Sequence, residues 1–229
     1  LYSSAASDVY KRQGLFSLVV FSTTVNAQVE EVEKVKCNYM KTSLYDLSLA
    51  AGQNQYAGSL SWTHMHSLGK KKKRLSLGYG LRFTSYLGQN LNYTTAPAKY
   101  TANEEDIDTL TFGNAQTNMI NITLNASYKV LKKFEIGFNI DFVGLGFGGS
   151  QNGNLTSSVG GITPAMQSAS PTTINLLLMG DNDIGNLSSE FFVRYWVSDK
   201  VGIRLGLNYL FTEYTTDSEL SLDNGRIKI

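Results

Sequence analysis

Cysteine is nearly absent from this chain of 229 residues. Cys37 stands alone, which rules out an internal disulfide and leaves it as an incidental thiol in a charged N-terminal segment. Charge is sparse too, at 17% of residues, and almost balanced, with a formal net charge of +1. Such a balance gives no electrostatic footprint for nucleic acid or for an acidic substrate. Past the first turns of the chain, no run of about twenty apolar residues is present that could form a membrane-crossing helix. Mean hydropathy is −0.16. Histidine is limited to His64 and His66, which, without further histidine or a nearby cysteine, is a poor zinc ligand set. No linker-like shift in composition divides the chain, which favours a single domain.

What the chain has is aromatic side chains, with 13 Tyr, 11 Phe and 2 Trp, and a persistent two-residue alternation. In the stretch from Lys133 to Phe147, Phe134, Ile136, Phe138, Ile140 and Phe142 alternate with Glu135, Gly137, Asn139 and Asp141. Only a β-strand separates a period of two into two faces. The same pattern marks strands over 43–51, 56–67, 74–86, 118–130, 186–197 and 200–212, each about nine to thirteen residues, enough for a tilted strand to cross hydrocarbon. Tight turns are expected at 68–73, 131–132 and 198–199, and long polar loops at 88–117 and 149–184. The run 173–179 lacks alternation and reads as part of an extracellular hairpin or as loop packed over a barrel mouth, with a strand as the competing reading.

The N-terminus divides by composition. The run from Asp8 to Gln13 resembles a translated transposase sequencing adapter, so residues 1–13 read as an assembly artefact. Residues 14–27, apolar from Leu15 to Phe21 and ending Val25-Asn26-Ala27, resemble the back half of a secretory signal cut after Ala27. Residues 28–42 read as a periplasmic lead-in and 43–229 as the barrel, with a closing strand expected beyond Ile229.

Alternating strands, long and short connections in turn and a signal-like end together resemble the small outer-membrane barrels of Gram-negative bacteria, OmpA/OmpX/OmpW-like in build. The resemblance is one of pattern and covers 43–212. It implies an all-β fold, an antiparallel transmembrane up-and-down β-barrel with eight strands expected and seven clear in this chain. It also implies a bacterial outer-membrane location, a monomer, and outer-membrane lipid as the immediate partner.

In that arrangement Leu77, Phe134, Ile136, Phe138, Ile140, Ile203, Leu205 and Leu207 face lipid. Asp46, Arg82, Lys129, Glu135, Asp141, Glu190, Arg194 and Arg204 face a bore only wide enough for side chains, and charges there must pair. No catalytic constellation, cofactor site or metal site is expected. His64 and His66 share one strand face, while adjacent His66 and Ser67 point to opposite faces, which is poor geometry for proton transfer. The G-x-G-x-x-G run over 144–149 is followed by no helical period, against a dinucleotide site. The expected role is structural or surface-interacting, through the loops 88–117 and 149–184. The alternatives are a small channel or transporter and, less favoured, an outer-membrane lipid-modifying enzyme using His64 or His66.

Overall fold

A computed structural model describes residues 8–25, 40–68, 74–95, 108–157, 166–178, 183–217, 220–221 and 227–228. Among them the chain is all β, without helix. In chain order the strands are β1 (Asp8–Val25), β2 (Met40–Gly52), β3 (Gln55–Leu68), β4 (Leu75–Thr95), β5 (Asp108–Lys129), β6 (Phe134–Phe147), β7 (Gln151–Ser157), β8 (Met166–Pro171), β9 (Ile174–Leu176), β10 (Leu187–Trp196), β11 (Val201–Thr216), β12 (Leu220–Ser221) and β13 (Ile227–Lys228). The first eleven form one antiparallel sheet, and β12 and β13 pair separately.

The long strands pair in succession from β1 to β6, then β6 with β10 and β10 with β11. β11 in turn pairs with β1 over a long register, so the ladder of strand pairings returns to its start. The place between β2 and β11, expected for a strand beyond Ile229, is thus taken by Asp8–Val25, from the stretch that composition assigns to an adapter run and a signal end. Tight connections at 130–133 and 197–200 define one end of the sheet, closed by backbone bonds such as Val197 N–H to Val201 O at 2.9 Å. The β2–β3 turn, with Asn54 at φ 58°, lies at the other, loop end.

The faces are inverted relative to a soluble domain. Phe134, Phe138, Leu77, Leu205 and Leu207 are exposed, with Ile136 at 37% and Ile203 at 39%, and Ile140 is half-buried on the same outward face. The intervening Glu135, Asn139, Asp141, Arg194 and Arg204 are all buried. The alternation therefore sends hydrocarbon outward and ionisable groups inward. Phe142 is the exception in register: it has no partner between Thr123↔Asp141 and Ile122↔Val143, a bulge that shifts the phase of β6.

Both expected long loops are shorter than the sequence suggests. Residues 88–95 and 108–117 continue β4 and β5, paired from Gly88↔Ala115 to Thr94↔Thr109. Their alternation reverses phase near Asn90, at φ 50°, and at Gly113 and Asn114, so Leu91, Tyr93, Leu110 and Phe112 point inward where the lower apolar residues point outward. This reversal breaks the sequence period and makes strand look like loop. Likewise 149–184 holds the β7–β8 hairpin, which pairs with β5 on one side and β11 on the other and so widens the wall at the loop end. Within 173–179, Ile174–Leu176 is a short strand on β6. Phe211, which by the period of two shares the outward parity of Leu205, Leu207 and Tyr209, is buried. Cys37, Ala27, most of the 28–42 lead-in and the lysine run 70–73 lie outside the described residues.

Candidate functional site

The interior of the sheet holds three layers. The first, at mid-height, is ionised. Arg82 Nε donates to Asp141 Oδ1 at 3.0 Å, its Nη1 to Asn139 Oδ1 at 2.6 Å and its Nη2 to the Ser188 carbonyl at 2.8 Å. Asp141 Oδ2 accepts from Asn121 Nδ2 and from the Ser188 backbone N–H, both at 2.8 Å. Asn139 passes the chain on, donating to Glu190 Oε2 at 2.9 Å. Glu190 Oε1 lies 3.4 Å from Arg204 Nε, and Arg204 Nη1 reaches Asp46 Oδ2 at 3.4 Å. Asp46 also meets Arg194 at 3.3 Å, and Arg194 meets Glu135 at 3.3 Å. Trp196 Nε1 donates to the second Glu135 oxygen at 3.1 Å. Contacts from β10 and β11 to Asp46 on β2 cross the interior directly.

This layer joins seven of the eight charged residues expected there, four carboxylates and three guanidinium groups. Lys129 stands opposite Glu135 in register, but that carboxylate is taken by Arg194 and Trp196. Planar guanidinium groups also stack. Arg194 and Arg204 lie 5.0 Å and 5.1 Å from the Phe192 ring centroid, so one buried ring serves two cations. Gly137 makes room for that ring, since a Cβ there would sit 2.3 Å from Phe192 Cζ. Phe192 and Trp196 share the inward face with Glu190 and Arg194 by period two, a signal legible in the sequence once the face is known.

A second layer is made of amides. Asn175 donates to Asn121 Oδ1 at 2.7 Å, and the Asn186 backbone N–H donates to Asn175 Oδ1 at 2.8 Å. The buried Glu213 accepts from the Gly185 N–H at 2.6 Å and from Thr172 Oγ1 at 3.0 Å. These bonds pin the segment around β9 across the top of the ionised layer. Nothing in the period of 173–186 announces them, because they join residues remote in sequence.

The third layer, at the loop end, is apolar. Tyr93, Phe112 and Tyr214 pack with ring centroids 5.0 to 5.2 Å apart, surrounded by Tyr86, Leu91, Leu110 and Leu210. Their hydroxyls are met, Tyr86 donating to Gln55 Oε1 at 3.0 Å and Tyr214 accepting from Thr117 at 2.8 Å. Between this plug and the charges, a cavity beside Arg82 and Glu190 measures about 10 Å³, room for one water.

Outside the wall, at the loop end, Asp217 accepts from Ser150 at 2.8 Å and Ser170 at 3.3 Å. Those serine hydrogen bonds, with one from Ser168, hold its carboxyl below the usual aspartate range. His64 and His66 lie on the outward face with ring centroids 4.8 Å apart, and no group of three or more metal-ligating side chains occurs among the described residues. The glycines of 144–149 end β6, and β7 follows them rather than a helix. No protein-family model and no curated protein matches this chain, whose identification rests at the level of an all-β antiparallel sheet with an apolar exterior and an ionised interior.

Proposed function

We propose that the protein is an integral outer-membrane β-barrel, OmpA-like in build, acting as a sealed scaffold that presents its loop end for surface interaction. The observation that carries this reading is the inversion of the faces: an apolar exterior around a bore filled by paired charges. In water an exterior of exposed Leu, Ile and Phe drives aggregation, whereas in lipid it matches the solvent. The sealed role is supported by the stacked layers: paired side chains occupy the charged layer, the cavity beside Arg82 and Glu190 has room for about one water, and the aromatic plug lies above it. A transport role requires a continuous path, and a lipid-modifying role requires an activated nucleophile; neither is favoured by a particular contact in the bore.

Two measurements test the reading. The chain has 2 Trp, one outward at Trp62 and one with its indole N–H on Glu135 in the bore at Trp196. In vesicles with brominated acyl chains, Trp62 fluorescence, read in Trp196→Phe, is strongly quenched, and Trp196 fluorescence, read in Trp62→Phe, is weakly quenched. Equal or absent quenching overturns the membrane placement. Planar-bilayer recording of the refolded protein gives no sustained current; a stable ion-selective conductance replaces the sealed scaffold with the channel.

A further inference from the structure

On β4 the outward side chains change kind at one level. Below it they are Leu75, Leu77, Tyr79, Leu81, Phe83 and Leu87, all exposed, with Ser85 the one polar member of the row. Beyond Asn90 the exposed positions are Asn92 and Thr94, while Leu91 and Tyr93 are buried. β5 makes the same exchange at the same level: Ile120, Ile122 and Leu124 are exposed below it, and above it Leu110 and Phe112 turn inward and leave Thr109 and Thr111 outward. Gln89 and Asn90 are both exposed, as are Gly113 and Asn114, so each strand uses one additional residue there while Gln89↔Asn114 and Leu91↔Phe112 stay in step. A slip of one residue sends every later side chain to the other face.

The β7–β8 hairpin keeps the upper character. Asn152, Asn154 and Thr156 are exposed, and Leu155 joins the buried cluster of Tyr93, Leu110, Phe112 and Tyr214. Across β4, β5 and β7, Asn92, Thr111 and Asn154 form one outward row and Thr94, Thr109 and Thr156 the next. Thr111 Oγ1 donates to Asn92 Oδ1 at 2.9 Å within the first. Met166, opposite Asn154, is the one large apolar side chain exposed on this upper part among the described residues. Polar outside and apolar inside suits a sheet in water, and apolar outside suits a sheet in lipid. Along β4 the stretch from Leu75 to Leu87 spans roughly 40 Å. At a tilt of about 35 to 45° that is a height of roughly 30 Å, the thickness of a hydrocarbon core.

We propose that a bilayer covers this wall only between the Leu75 and Leu87 rows, and that β4 and β5 beyond Asn90 and Gly113, together with the β7–β8 hairpin, stand above it as an extramembrane wall in water. The proposal rests on the membrane reading given above and adds where the bilayer ends. Rows of Asn and Thr sunk in hydrocarbon would forfeit their hydrogen bonds to water, and apolar residues turned inward would gain nothing there. In water the same arrangement is stabilised by the Tyr93, Phe112 and Tyr214 core, which then supports the wall as well as plugging the bore. The surface offered outside is a sheet face whose two rows of Asn and Thr carry no charge.

The test uses the full chain carrying Trp62→Phe and Trp196→Phe, with one tryptophan at a time introduced by Leu81→Trp, Leu87→Trp, Asn92→Trp or Asn154→Trp, all outward positions. In phosphatidylcholine vesicles with brominated acyl chains and iodide in the water on both sides, the first two are quenched by bromine and shielded from iodide. The last two are quenched by iodide and not by bromine. Bromine quenching of Asn92→Trp and Asn154→Trp overturns the extramembrane wall and leaves the membrane reading standing. Its loss in Leu87→Trp with retention in Leu81→Trp puts the boundary lower and also overturns the proposal. Bromine quenching in none of the four overturns the membrane reading itself. Heat-modifiable migration shows which variants fold. For one that does not, cysteine at the same position in Cys37→Ser, treated with a membrane-impermeant maleimide, reads the same boundary: Asn92→Cys and Asn154→Cys react, and Leu81→Cys and Leu87→Cys do not.

Discussion

At the scale of single residues, the bore is governed by the cost of a charge without a partner. Asp141 is fully buried and has both oxygens occupied, by Arg82 on one side and by Asn121 and Ser188 on the other. Arg82→Ala leaves that carboxylate uncompensated and is expected to cost about 3 to 5 kcal/mol. Arg82→Met with Asp141→Leu, which removes both charges, costs much less. Urea unfolding of the lipid-reconstituted protein, read as the loss of heat-modifiable migration on gels, measures both. Gly137→Ala tests packing in the same layer: its methyl enters the Phe192 ring, and a loss of about 1 to 3 kcal/mol is expected, relieved in part by Phe192→Leu. Of this layer the sequence displayed the charged members, because period two assigns them to one face. It left out the amides and Phe192, since polar or aromatic character alone does not show which inward side chain completes a network.

At the scale of elements, the plug and the hairpin beside it are separable features. Phe112→Ala removes a fully buried ring from the loop-end core and is expected to destabilise by about 3 to 5 kcal/mol. Conductance stays at baseline in that variant, because the ionised layer beneath still fills the bore. A current appearing on loss of Phe112 alone would show that the plug is the seal. The β7–β8 hairpin is tied to the end of β11 through Asp217, whose carboxyl is held low by serine hydroxyls. A folded value below the unfolded one means that this tie is fully present above the ordinary aspartate range and is lost as pH falls through the folded value. Proteolysis of the 149–184 region is therefore expected to rise only at pH below about 4, with Asp217→Asn removing that dependence. Where β4 and β5 extend past Gly88 and Ala115, the sequence was misleading for a physical reason. A matched reversal at Asn90 and at Gly113 and Asn114 turns apolar residues inward, so the pattern that marks the lower strand is interrupted although the ladder continues.

At the scale of the whole molecule, β1 joins the two ends of the sheet by pairing with both β2 and β11. Its residues carry both the composition of a secretory signal end and a register with β2 and β11, and cleavage after Ala27 would take the strand away. A chain beginning at Gln28 is expected to expose the edges of β2 and β11 and either to self-associate or to lose heat-modifiable migration. A peptide spanning 8–25 added during refolding restores it. Retention of the monomeric folded form without that peptide would show that closure does not need β1.

The sequence by itself determined the period of two, and with it the seven longer strands between 43 and 212, though not β7, β8 and β9, and the sorting of Phe134, Ile136, Leu205 and their neighbours away from Glu135, Asp141 and Arg204. Alternation is a local property, settled by adjacent backbone dihedrals and readable from a single strand. Only the tertiary structure decided which charge meets which, that an aromatic plug caps the ionised layer, and that Asp8–Val25 lies between the two ends of the sheet. Those contacts join residues far apart in the chain, and a pattern of faces carries no information about register across a bore.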